Sequence, residues 1–235
     1  MRYFTFDGVP STNYGILVQN KNTYDAAERD ITMQAIPGRS GDLIIDNNRR
    51  KNITIEYDCA LISGNVSTVL ENVRKWLSIP RGYKELSDSY MTDRYRLGIC
   101  TGQIKFTESH GVVTFKASFS CKPLAFLSSG KTAITLTEPT TITNSTGITA
   151  KPYMKVTGSG NITLAVGSQT LDIRGISEYI EIDSEIESAY KGATLMNSSI
   201  YSYPFPELLP GDNAISWSGT GSVSQIDVIP RWCEV

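Results

Sequence analysis

The residues in this 235-residue sequence whose spacing could do chemistry are four acids at every second position, Glu181, Asp183, Glu185 and Glu187 in "YIEIDSEIES". On one strand all four share a face. Glycoside hydrolysis needs a carboxylate pair, with one acid raised by an apolar pocket. Four acids in a row read instead as a solvated or ion-paired edge. A serine or cysteine nucleophile needs a neighbouring base, and the single histidine, His110, falls in "TESHG", which reads as a turn between two strands. One histidine is also too little for a multi-histidine metal centre. Cys59, Cys100, Cys121 and Cys233 lie far apart, form no CxxC pair, and are expected to be free thiols.

Phosphate binding fares no better. "SSGKT" ends like a phosphate-binding loop, but Ala125 stands where the GxxxxGK[ST] pattern needs glycine. Gly158-Ser159-Gly160 and Gly219-Thr220-Gly221 lack the third glycine of a dinucleotide fingerprint and read as turns. No catalytic, cofactor-binding or metal-binding residues can be assembled, so the chain is expected to be neither an enzyme nor a cofactor carrier.

The stretch "IPGRSGDLIIDNNRRKNITIEYDCALI", residues 36–62, is the most distinctive loop. A phosphate cradle opens a helix, whereas here a strand follows: Ile53, Ile55, Tyr57, Cys59 and Leu61 alternate with polar residues. Pro37-Gly38 suits the centre of a type II turn, whose third residue needs positive φ. Asp46-Asn47-Asn48 reads as the turn of a hairpin joining "DLIID" to "NITIEYDCALI".

The elements that must position these residues are mainly β. One helix is expected from near Ser63-Gly64-Asn65 to Pro80, with Val66, Val69, Leu70, Val73, Trp76 and Leu77 forming one apolar stripe. After a Tyr-rich polar segment come "GQIKF" and a strand whose Val113, Phe115, Ala117, Phe119 and Cys121 face one way. Beyond "CKPLAFLSSGK" the composition turns to Thr, Ser and Gly with short β-branched runs, so a boundary is expected near residue 130, with domains at 1–130 and 131–235. The net charge of -2 does not favour nucleic-acid binding. No apolar run reaches transmembrane length, and "MRYFTFDGVP" lacks a signal-peptide apolar core, so a soluble, mature chain is expected.

Three stretches resemble the distal tail protein family of long, non-contractile-tailed phages, the baseplate hub: "IPGRSGDLIIDNNRRKNITIEY", "FSCKPLAF" and the terminal block containing "FPELLPGDNAISW" and "PRW". The resemblance implies a tail-tube-like β domain with one helix, which forms a hexameric ring, followed by a galectin-like β-sandwich. It implies a place at the tail tip of the virion, with the tail tube protein, a tail-associated hub or lysin protein and receptor-binding proteins as partners. DNA would pass through the lumen without specific binding, and no membrane would be involved. Arg39, Asp42, Arg49 and Arg50 are the expected ring contacts, because a charged hairpin suits a head-to-tail interface. Tyr203, Phe205 and Trp217 are the expected partner-docking residues. No histidine lies in 131–235, so lectin chemistry is not expected to accompany the sandwich, and a carbohydrate-binding module or tail-tube protein is the alternative reading.

Overall fold

The computed structural model describes residues 1–21, 26–61 and 66–235. These divide into two compact units, 1–125 with Val235, and 126–234. The first contains β1 (Phe4–Phe6), β2 (Val9–Pro10), β3 (Ile16–Lys21), β4 (Arg29–Gln34), β5 (Leu43–Arg50), β6 (Ile53–Leu61), α1 (Val66–Ser78), β7 (Lys84–Asp88), β8 (Met91–Cys100), β9 (Thr107–Ser109) and β10 (Val112–Cys121). β11 (Ala125–Leu127) spans the division. The second contains β12 (Ile134–Leu136), β13 (Thr140–Asn144), β14 (Tyr153–Val166), β15 (Gln169–Asp183), β16 (Ser188–Lys191), β17 (Thr194–Leu195), β18 (Gly211–Gly219), β19 (Ser222–Ile229) and β20 (Cys233–Glu234). The mainly β architecture with one helix is the one expected.

In the first unit the antiparallel order is β2-β1-β7-β8-β10-β6-β3. The alternation in β6 and β10 reports burial directly: Ile55, Tyr57, Cys59 and Leu61 face inward, as do Val113, Phe115, Ala117, Phe119 and Cys121. Helix α1 covers this face with Val73, Trp76 and Leu77, all buried. The Trp76 ring stacks on Phe4 at 5.4 Å and its Nε1 donates to the Phe6 carbonyl at 3.1 Å. Trp76 is therefore a core anchor whose polar atom is satisfied. The four thiols are free. Burial pushes them up, to about 12 for Cys59 and Cys121 and about 11 for Cys100 and Cys233, so they stay protonated and inert at neutral pH.

Three local expectations change. The Asp46-Asn47-Asn48 stretch does not join β5 to β6. Both edges of β6 are occupied, by β10 and by β3, so β5 turns back onto β4 across the 36–42 loop. Asn48 keeps a turn-like φ of 53° and donates its N–H to Asp46 Oδ1 at 2.8 Å, within a strand. "GQIKF" is not a strand; β9 begins at Thr107, and only His110 and Gly111, both at positive φ, make the turn. The Tyr-rich polar segment, given no element from the sequence, is the β7–β8 hairpin, with Leu86 and Asp88 turned inward.

The second unit is a sandwich whose two leaves share β14 and β15: one runs β12-β19-β14-β15-β16-β17, and the other reaches β13 through β18. The first half of β14 pairs with β19 and the second half with β18. The switch falls at Gly158–Gly160, next to a bulge between Gly160 and Ile162. These glycines, read as a turn, lie inside a 14-residue strand. A Cβ on Gly158 would sit 2.1 Å from the Ser222 carbonyl oxygen, so only glycine lets the strands approach. Gly158→Ala is expected to cost about 1–3 kcal/mol through overpacking, read by denaturant unfolding. An unchanged midpoint would show that the strands separate freely.

The terminal block that carried the resemblance pins this sandwich. Phe205 and Leu208 enter its core. Asn213 accepts the Leu209 N–H at 2.9 Å and donates to the Leu209 and Gly211 carbonyls, holding the Pro-framed loop. Asn144 does the same from β13, donating to the Ile148 and Leu208 carbonyls at 2.9 Å each. In "PRW", Arg231 forms a two-pronged pair with Asp183, at 2.6 and 2.8 Å. "SSGK" is a single 3-10 turn, Ser128–Lys131, whose Gly130 carbonyl accepts the Arg231 N–H.

Candidate assembly interface

Asp183 and Glu181 lie at the end of β15, whereas Glu185 and Glu187 fall in the following turn, so the four acids do not share a strand face. Glu181 accepts from the Tyr153 hydroxyl at 2.6 Å and from the Gly192 N–H at 2.8 Å. Burial pushes the Asp183 carboxyl up, and the hydrogen bond and charge of Arg231 more than reverse it, leaving it below the usual carboxylate value. A depressed folded value contributes stability above the unfolded value near 3.8, and that contribution is lost as pH falls through the lower folded value. Acid unfolding below about pH 3.8 is therefore expected to be less steep in Asp183→Asn than in the native chain, read as melting temperature against pH. Parallel acid limbs would mean that this pair carries none of the acid sensitivity.

The most buried charge cluster in the first unit is also internally closed. Asp88 Oδ2 accepts from Lys21 Nζ at 2.8 Å and from the Tyr57 hydroxyl at 2.7 Å, while Oδ1 accepts the N–H groups of Tyr90 and Met91. Burial, then the Asp88 charge, raises Tyr57 well above the ordinary tyrosine value, so it remains a donor. A cavity of about 130 Å³ adjoins these side chains, with Arg94 and Arg96 on its wall. His110 lies on an exposed turn beside Ser109 Oγ, 2.9 Å from its Nδ1, and no carboxylate orients the ring among the described residues. Among the same residues no three metal-ligating side chains cluster, and no helix is long and apolar enough to cross a membrane.

What the first unit does present is the β4–β5 hairpin, a two-stranded sheet that joins neither larger sheet. Its turn is formed as expected at Pro37-Gly38: Gly38 has φ of 80° and the Arg39 N–H bonds the Ile36 carbonyl at 3.1 Å. Direct cross-strand pairing of Ile31 with Asp46, and of Met33 with Ile44, places those four on one face. Thr32, Gln34, Leu43 and Ile45 form the other. Both faces are solvent-exposed and carry large apolar groups, Met33 at 59% and Ile44 at 61% exposure. Isolated hairpins are marginal in water and unpaired strand edges invite pairing, so this ribbon is the first unit's candidate contact surface.

The four charged residues expected as contacts divide between the ends of this ribbon. Arg49 binds Asp30 at 2.5 Å, lowering that carboxyl, and Arg50 donates to the Ala27 carbonyl at 2.9 Å. Both brace the base of the hairpin. Arg39 and Asp42 sit in the loop at its tip, exposed, with no ion pair among the described residues. The apolar rows were missed in the sequence, where "DLIID" was read as a hairpin strand and residues 30–33 were not singled out.

In the second unit the expected docking residues also separate. Tyr203 is 68% exposed, while Phe205 is 3% exposed and packs in the sandwich core, which corrects its expected surface role. Trp217, opposite Leu164 across the β14–β18 pair, is partly buried against the same core. The Pro-framed sequence concealed that Phe205 points inward beside Leu208.

This arrangement, a one-helix β unit followed by a β-sandwich, is shared with solved phage tail proteins. The Dit protein of phage SPP1, described as a paradigm of the hub adsorption apparatus in phages infecting Gram-positive hosts, matches over 100% of this chain and 98% of its own, with a TM-score of 0.73 at 16% identity. Two structures of the phage P2 baseplate in its activated conformation, with calcium and with strontium, match at TM-scores of 0.54 and 0.53, each 9% identical and covering 97% of both chains. No family model matches, and no curated protein matches in sequence.

Proposed function

We propose that this chain is a structural hub of a phage baseplate at the tail tip, in which the first unit closes a hexameric ring and the second carries tail-tip partners. The observation that carries this reading is the match to the SPP1 Dit fold across the whole chain, both units included. The exposed apolar hairpin supports it independently, because head-to-tail closure requires each copy to offer a surface that the next one covers. The ring joins the tail tube to the hub or lysin protein and to the receptor-binding proteins, and DNA crosses its lumen without base-specific contact. It works in the virion after synthesis in the host cytoplasm, and no catalysis is required of it. The two units fold separately, at 1–130 and 131–235, and Tyr203 and Trp217 contribute to partner docking on the second.

Native mass measurement of the purified chain, alone and with its tail tube protein, tests the reading. A six-copy species is expected, visible as a ring in negative stain. A monomer that persists at high concentration with the partner added would sink the ring.

A further inference from the structure

The outer face of the second unit holds a groove at the strand switch, about 240 Å³, lined by Asn161, Thr163, Asp172, Arg174 and Thr220 over the backbone of Gly219. The fold brings these together from three separate segments. Thr163 pairs directly with Asp172 on β15 and with Ser218 on β18, so the three form one polar row across three strands. Arg174 is two residues further along β15 on the same face.

The polar atoms in the groove are held from behind and open in front. Thr163 Oγ1 donates to Asp172 Oδ1 at 2.6 Å, which leaves Oδ2 without a hydrogen-bond partner among the described residues. Asn161 Oδ1 accepts the Gly175 N–H at 3.0 Å, which fixes the amide and leaves both Nδ2 hydrogens unused. Among the described residues the Arg174 guanidinium makes no ion pair or hydrogen bond; it lies 4.0 Å over the ring of Tyr201. Tyr201 in turn is tied to β15, its N–H donating to the Asp172 carbonyl at 2.9 Å, and its side chain stays exposed. A guanidinium held over a ring face keeps its N–H donors, which radiate in its own plane, available to a ligand.

We propose that this groove binds one ring of a neutral saccharide. Vicinal hydroxyls each donate and accept, and the groove offers an acceptor in Asp172 Oδ2 beside donors in Asn161 Nδ2 and the Arg174 edge, with Thr220 able to do either. Tyr201, outside the groove's own lining, backs the guanidinium and so sets where its N–H donors lie. The volume lies below the roughly 300–1,000 Å³ of drug-sized pockets, which suits a single ring rather than a buried chain. The site needs no histidine, so the lack of one in this half does not bear on it. It also does not rest on ring assembly.

Ligand-observed NMR titration of the full chain with methyl glycosides of glucose, galactose, N-acetylglucosamine and rhamnose tests the assignment, with glycerol phosphate as the anionic probe. Saturable binding of at least one glycoside is expected, weakened roughly tenfold or more by Arg174→Ala and by Asp172→Asn, with thermal unfolding unchanged in Arg174→Ala. Tyr203→Ala should leave it intact. Absence of saturable binding for every glycoside, binding unaffected by Arg174→Ala, or binding of glycerol phosphate alone would each overturn it.

Discussion

Met33→Lys combined with Ile44→Lys is expected to leave a folded monomer under conditions where the native chain forms its ring. The two side chains are direct cross-strand partners on one face of the hairpin, and both are largely exposed among the described residues. Covering each contributes about 1.5–3 kcal/mol, so removing the pair weakens one contact by about a thousandfold, before the cost of burying two ammonium groups is added. Every contact of a closed ring carries the same lesion. Because neither residue belongs to a core cluster, the melting temperature should stay within a few degrees of native. Light scattering across a concentration series reads the outcome, and an unchanged ring would place the interface elsewhere. The apolar pair is a cleaner test than Arg49 and Arg50, whose reversal would also break the hairpin's own β4–β5 brace at Asp30 and its bond to the Ala27 carbonyl. Arg39→Glu, at the exposed tip, should change assembly by tenfold at most and mainly at low salt, since exposed charges set register more than affinity.

Asp88→Ala is expected to produce the largest loss of stability from one substitution, about 3–5 kcal/mol. The carboxylate accepts from the buried Lys21 ammonium and from the Tyr57 hydroxyl, and it also holds the turn between β7 and β8 through two backbone N–H groups. Removing it takes away the carboxylate to which a buried cation is bonded. The double substitution Lys21→Met with Asp88→Ala should recover part of the loss, because the buried charge disappears while the turn stays uncapped. Denaturant unfolding of the three variants gives the coupling. If the double variant is as unstable as the sum of the singles, Lys21 and Asp88 act independently and the charge argument fails.

The places where sequence reading and structure part company share a physical cause. The strand at 53–61, the strand at 112–121 and the stripe on α1 were legible because a side chain's burial follows the period of its own backbone, and no partner need be known. The destination of "DLIID" was not legible in the same way. Its turn chemistry at Asp46-Asn47-Asn48 is real, yet which strand it pairs with depends on whether both edges of β6 are already taken. The glycines at 158 and 160 were read as a turn because glycine tolerates turns, whereas here it admits the close approach of β19. Phe205 was assigned to the surface because aromatic residues framed by proline serve both interfaces and cores.

The sequence by itself determined that the chain is mainly β with one helix, that its composition changes near residue 130, and that it lacks the histidines and motif glycines of the common catalytic sites. Those properties are local in the chain: periodicity, turn residues and counts. Only the tertiary structure decided which charges are internal and which are offered outward. Asp183 finds Arg231, and Asp88 finds Lys21, across long stretches of chain. Among the described residues Arg39, Asp42 and the apolar rows of the hairpin stay exposed, and Arg174 meets a tyrosine ring. Pairing and exposure are properties of three-dimensional neighbours, which distance along the chain does not encode.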